Sequence, residues 1–457
     1  MLVFATPENA TPIELVSTSD LQDWREKQSA LVLAWADRSK FKGNANQFFT
    51  VPDESGFPQR VVAGIGSEIS VESIGSLSQR LPAGNYFLED TDSESIYALS
   101  LGWGMGAYEF TQYKTKKPNS KNDVCLYVDP EYESVNEELS SMNLARDLIN
   151  TSAGDLLPDQ LEEAVQKVCD SFGVDLNVVC GDDLLERGFR TIHSVGRASH
   201  SAPRLLSFQW GPEGAPEVAI LGKGVCFDSG GLDLKSAAGM REMKKDMAGA
   251  AITLGLAQLI MYRKLNVRLH ALIPAVENAV SSNAYHPGDV ITTYKGTTVE
   301  VGNTDAEGRL ILCDALALAA ESKPELMVDF STLTGAARTA VGSEISAMFS
   351  NDDKVANALL EAGDVTKDPI WRLPLYAGYR GFLKKSLADL SNIGSESMGG
   401  AITAALFLEH FVDKTPWVHF DLMGSNTRTR PAHPFGGEAM ALRAVFHYLN
   451  ARYGTTG

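Results

Sequence analysis

The chain has 457 residues, 44% of them hydrophobic and 21% charged, so it can bury more than one core and lacks the composition that keeps a chain disordered. Its net charge of −18 opposes phosphate backbones and anionic lipid, which makes nucleic acid a poor partner. The five cysteines form an odd set with no CxxC pair, which argues against a disulfide framework and a structural zinc cluster.

The opening MLVFATPENATPIELV has no basic segment ahead of a long apolar run, and no apolar stretch is long enough to span a bilayer. A cytoplasmic protein is expected. Residues 1–132 read as an N-terminal α/β domain without a chemical motif. Within it, Ala30–Ala36 (ALVLAWA) and Val61–Ile65 (VVAGI) read as buried strands. The polar stretch Thr115–Asp123 punctuates the chain, and Cys125–Val128 reads as a strand. Glu133–Thr151 has helical periodicity, with Val135, Leu139, Met142 and Leu148 on one side, and residues 133–154 read as a connecting helix.

From 155 to 457, strands and helices alternate. Val218–Leu221, Val267–Val276, Thr298–Val301 and Leu326–Phe330 read as strands, and Met240–Arg263 and Arg309–Glu321 as helices. The alternation predicts a larger α/β domain with a mainly parallel sheet flanked by helices. Ligands of such sheets collect at the carboxyl ends of strands.

Three segments near those ends carry chemistry. Gly222–Lys235 (GKGVCFDSGGLDLK) reads as a glycine-rich loop holding Lys223, Asp228 and Lys235. Met243–Ala251 (MKKDMAGAA) places Asp246 among small residues on the long helix. Asn303–Leu310 (NTDAEGRL) supplies Asp305, Glu307 and Arg309, which share one side if that stretch is extended. Asp228, Asp246, Asp305 and Glu307 in one cavity must be protonated or neutralised by cations, and two divalent ions balance them. Zn, Mn, Mg or Co suits such oxygen-rich ligation, and two ions about 3.5–4 Å apart form the usual hydrolytic pair. Any one carboxylate alone reads as a cap or a surface ion pair. An amidase or dipeptidase chemistry fits the same ligands.

These segments, in this order, resemble the dizinc leucyl (cytosol) aminopeptidase family. ARDLIN at 145–150, STLTGA at 331–336, WRLPL at 371–375 and WVHFDLMG at 417–424 extend the likeness. The resemblance implies a metallo-aminopeptidase that favours Leu or another apolar first residue and assembles as a homohexamer. It implies that Asp228 and Glu307 bridge two metals, that Lys223 and Asp246 complete the tighter site, and that Asp305 completes the looser one. A metal-bridging hydroxide would attack. Lys235 would polarise the scissile carbonyl, and Arg309, with Gly308 and Leu333, would hold a bicarbonate ion as general base. Met243, Thr332 and Gly335 would contact the substrate. A ligand lysine must be neutral, whereas Lys235, past the glycines, should stay protonated. Ala248 and Cys226 depart from the family's usual Gly or Cys and Thr; neither is a ligand. His419 is expected to be buried and hydrogen-bonded, Cys226 to pack as a small hydrophobe, and Asp329 and Asp421 to cap.

Overall fold

The computed structural model describes residues 1–4, 9–89, 91–115 and 124–454. Most of the polar stretch Thr115–Asp123 lies outside them. The chain forms two compact units, Met1–Ser140 with Thr427–Phe435, and Ser141–Asn426 with Gly436–Gly457.

The first unit holds six strands: β1 (Leu2–Val3), β2 (Thr11–Ser17), β3 (Phe48–Pro52), β4 (Pro58–Gly66), β5 (Gly84–Leu88) and β6 (Val124–Tyr127). They lie in the order β1-β6-β5-β2-β4-β3, and only the β3–β4 pair is antiparallel. One face packs Ile13, Val61, Tyr86 and Leu126 against Trp103 of the helix Ser93–Ala107; the other packs Val16, Phe49 and Val62 against Trp24 and Phe41. The stretch expected as a first strand, Ala30–Ala36, is instead part of a helix, Ala30–Arg38. The Ser29 side chain caps it by accepting from Val32 N, and its buried residues, Val32 and Ala36, stand four apart. That is one helical stripe, and Leu31 on the other side is exposed.

The second unit is built on a nine-stranded sheet. Its strands are β7 (Asn177–Cys180), β8 (Arg204–Trp210), β9 (Glu217–Gly222), β10 (Gly224–Asp228), β11 (Arg268–Asn278), β14 (Leu326–Ser331), β15 (Ser346–Ser350), β16 (Ile370–Arg372) and β18 (Trp417–Asp421). The short strands β12 (Val290–Thr292), β13 (Thr298–Glu300) and β17 (Leu390–Ser391) form a separate small sheet. The order of the large sheet is β16-β15-β18-β14-β9-β11-β8-β7, with β10 also on β11. Its centre, β18-β14-β9-β11, is parallel, as expected, while β15 pairs with β18 in the antiparallel sense and β8 and β7 add antiparallel strands at the other side. The helix Ser134–Asn150 follows the periodicity expected over Glu133–Thr151 and stops short of residue 154.

Two further expectations are corrected here. The helix expected over Met240–Arg263 is three pieces: Ala237–Met240, a 3₁₀ turn Met243–Met247, and Ala248–Tyr262. The last piece is buried through Ala248–Met261, so its pattern gave no sign of where it began. The segment 222–235 is not all loop, because β10 runs through it beside β11. None of the five cysteines is in a disulfide. Among the described residues, no helix is long and apolar enough to cross a membrane.

Candidate metal centre

Lys223 directly follows β9, and its backbone bonds to both neighbours: Lys223 N donates to Phe330 O (3.0 Å), and Ala250 N donates to Lys223 O (2.9 Å). The helix that carries Ala250 can come this close because of Gly249, where a Cβ would lie 2.1 Å from Phe330 O. The side chain of Lys223 is buried and ends between Asp246 Oδ2 (2.7 Å) and Glu307 Oε1 (2.8 Å). Gly308 packs on it, since a Cβ there would stand 2.7 Å from Lys223 Nζ.

Asp228 ends β10 and is buried. Its Oδ1 accepts from Gly230 N (2.9 Å) and Asn278 Nδ2 (2.8 Å), and its Oδ2 lies 2.8 Å from Lys235 Nζ. Lys235 also pairs with Asp305 Oδ1. The turn that returns Lys235 to the site uses left-handed backbone at Gly230 (φ +90°) and Gly231 (φ +66°), and Lys235 N bonds Ser229 O (2.9 Å). Asp246, on the 3₁₀ turn, accepts from Thr332 Oγ1 (2.6 Å) just past β14.

Carboxylate oxygens of Asp228, Asp305 and Glu307 lie within 4.8 Å of one another. The extended reading fails along this stretch: Thr304 and Asp305 lie in a turn, with Ala306 N donating to Asn303 O (3.3 Å), and the helix starts at Glu307, so Glu307 and Arg309 both belong to its first turn. Arg309 Nη1 donates to Asn392 O (2.6 Å), and its Nε is buried without a hydrogen-bond partner.

Burial and the neighbouring Asp246 carboxylate push the Asp228 carboxyl up to about 6; burial and Asp228 push Glu307 to about 7. Burial alone would raise Asp246, but Lys223 and Lys245 outweigh it and hold that carboxyl below its usual range. Burial opposes the charge on Lys223, and Asp246 and Glu307 more than restore it. Burial lowers the Arg309 guanidinium to about 10. Four carboxylates face the ammonium groups of Lys223, Lys235 and Lys245, so the cluster still attracts positive charge. Glu307 Oε2 is buried without a hydrogen-bond partner, as an oxygen reserved for a cation would be. The donor set fits divalent metal ions.

Comparison with known proteins accords with this donor set. Residues 143–446 match the cytosol aminopeptidase family, catalytic domain, and residues 11–125 match the M17 aminopeptidase N-terminal domain. The chain belongs to the cytosol aminopeptidase family. It is therefore a metal-dependent aminopeptidase, a peptide hydrolase. A relative from Geobacter sp. (strain M21) carrying the name "Probable cytosol aminopeptidase" is 37% identical over 392 residues, 82% of this chain and 79% of the relative. The crystal structure of the cytosol aminopeptidase from Coxiella burnetii superposes with a TM-score of 0.94 at 45% identity, covering 99% of each chain. The bottromycin maturation enzyme BotP in complex with Mn gives 0.87 at 29% identity, covering 97% of this chain and 100% of that one.

The remaining expected residues lie on the 3₁₀ turn and just past β14. Thr332 is buried on it, and Met243, half-buried, stands three residues earlier on the same 3₁₀ turn, where side chains three apart align. Leu333 N donates to Asp421 Oδ1 (2.9 Å), and Gly335 begins the helix Gly335–Val341. Asp421 also accepts from Thr334 N and Oγ1, so it caps the loop, as expected. Asp329 does not cap: it accepts from Trp417 Nε1 (2.7 Å) and pairs with His419 Nδ1 (2.6 Å), which makes His419 the buried, bonded histidine expected. Cys226 is buried, and burial pushes its thiol up. Asn278, which orients Asp228 and also donates to Thr304 O (3.0 Å), was missed by sequence reasoning. Its one signal was a polar residue ending a long apolar strand.

Proposed function

We propose that the chain is a two-metal aminopeptidase that removes single residues from the N-termini of peptides. The observation that carries this reading is the convergence of Asp228, Asp305 and Glu307 within 4.8 Å beside buried Lys223. Asp228 and Glu307 would be shared by two divalent ions, with Lys223 and Asp246 completing one position and Asp305 the other. Zn or Mn fits this set, and Mg or Co also suits it. When bound, such ions polarise a carbonyl and acidify water to near neutral pH.

The chain's own residues do the rest. Lys235, its side chain 15% exposed, donates to the oxygen on which charge develops as the scissile carbonyl is attacked. Arg309, with one nitrogen committed to Asn392, keeps Nε for an anion; with Gly308 and Leu333 it would hold bicarbonate, which supplies a general base. Met243, Thr332 and Gly335 border the first substrate residue, and the apolar body of Met243 supports an apolar preference such as Leu. A cytoplasmic location and a homohexamer accord with the family; light scattering should give about six times the chain mass, and a monomer would contradict it.

The test is dialysis against a chelator. Hydrolysis of aminoacyl-anilides should cease, and Zn, Mn or Co should restore it, while N-blocked amides stay intact throughout. Full activity in metal-free protein would sink the reading.

A further inference from the structure

Two cations beside the proposed substrate pocket take no part in that chemistry. Lys245 precedes Asp246 on the 3₁₀ turn and is only 4% exposed, and its Nζ has no hydrogen-bond partner. Arg338 lies on the helix Gly335–Val341, and its Nη1 is likewise buried and unpartnered. Burial disfavours the charge on Lys245, and the Arg338 guanidinium opposes it further.

Both adjoin residues already placed at the first substrate residue. A Cβ on Gly424 would lie 3.1 Å from Thr332 Cγ2 and 3.8 Å from the backbone oxygen of Lys245, so the 3₁₀ turn that carries Lys245 passes beside Thr332. A Cβ on Gly335 would lie 3.9 Å from Arg338 Nη2. The carboxylates that act on Lys245 are committed elsewhere. Asp246 is held by Lys223 and Thr332, and Asp421 by Leu333 N and by Thr334 N and Oγ1. Unpaired cations out of water are costly, and an arriving anion would remove that cost.

We infer that Lys245 and Arg338 form a carboxylate-binding wall of the pocket for the first substrate residue, so that acidic first residues are taken in preference to their neutral isosteres. The inference rests on the aminopeptidase reading. Met243 packs the methylenes of Glu as it would Leu, so an apolar residue still fits, and the comparison that isolates the wall is Glu against Gln. Charge-assisted hydrogen bonds of this kind discriminate by about 10–100-fold.

The experiment measures kcat/KM of the Mn-loaded enzyme on Glu-, Gln- and Leu-anilides, which carry no terminal carboxylate. The Glu-to-Gln ratio should be about 10–100, and it should fall toward unity in Lys245→Met, which keeps the volume, and in Arg338→Gln, at a half-buried position that a fold tolerates more readily. A ratio near one in the unsubstituted enzyme, or one unchanged by both substitutions, overturns the inference while Leu-anilide hydrolysis upholds the aminopeptidase. No hydrolysis of any anilide overturns both. Leu-Leu with a free and an amidated C-terminus forms the second arm. If amidation slows cleavage and either substitution erases that effect, the wall serves the terminal carboxylate and the inference is again overturned.

Discussion

In the unit formed by Met1–Ser140 and Thr427–Phe435, the buried polar side chains among the described residues are Ser73, Ser78, Ser95, Ser100, Glu138 and His433. In the other unit, Lys223, Lys245, Asp246, Glu307, Arg309, Asp314, Asp329 and His419 are all buried. Hydroxyls are cheap to bury once bonded, whereas charges are not. The first unit is thus organised mainly around apolar burial, with Glu138 and His433 its buried ionisable groups among the described residues. The second holds charge away from water, and its fold must supply the partners. Such interior charge marks where a protein does chemistry.

The comparison predicts that substitutions in the two units fail in different currencies. The largest effect on activity should come from the two site lysines, and they should fail differently. On the proposed roles, Lys235→Ala would remove a transition-state contact, so kcat should fall about 10²–10³-fold with metal content unchanged. Lys223→Ala would remove a proposed ligand, so metal analysis should show lost occupancy, with partial rescue by excess metal. The reverse pattern would exchange their roles. Next comes Asn278→Ala, which frees Asp228 from its orienting bond and should cost about 10–100-fold in metal affinity or activity; an unchanged metal titration would remove Asn278 from the site. Smallest in activity, though not in stability, is Leu126→Ala in the core of the first unit. Denaturant unfolding should show a loss of about 2–5 kcal/mol, while kcat/KM of the folded protein stays within about twofold, since the change touches no charge at the centre. A large drop in kcat/KM would break the contrast between the units.

The site was more legible in the sequence than the fold around it, for a physical reason. Lys223, Asp228, Lys235, Asp246, Asp305 and Glu307 sit in short strings where glycines and charges stand together, and such strings have few other uses. Secondary structure was harder where burial is complete. ALVLAWA is apolar at nearly every position, so period two and period 3.6 cannot be told apart, and only the Ser29 cap separates helix from strand. The helix Ala248–Tyr262 hid its start for the same reason, and with it the 3₁₀ turn that aligns Met243 with Asp246. Asn278 and Asn392 reach the site through hydrogen bonds from distant segments, which no local pattern announces.

The first unit is not continuous in the chain: after 140 residues it is completed by Thr427–Phe435. The late segment packs closely, since a Cβ on Gly75 would stand 2.5 Å from Ala432 N, and Arg430 and His433 approach Glu72 at 3.7 and 3.6 Å. During synthesis at about 5–20 residues per second, the early part of this unit must therefore wait about 15–60 s for its last nine residues to leave the ribosome. Its final packing comes when nearly the whole chain has been made. A fragment cut near residue 140 would lack that segment, and a fragment that begins there would carry it with nothing to pack on.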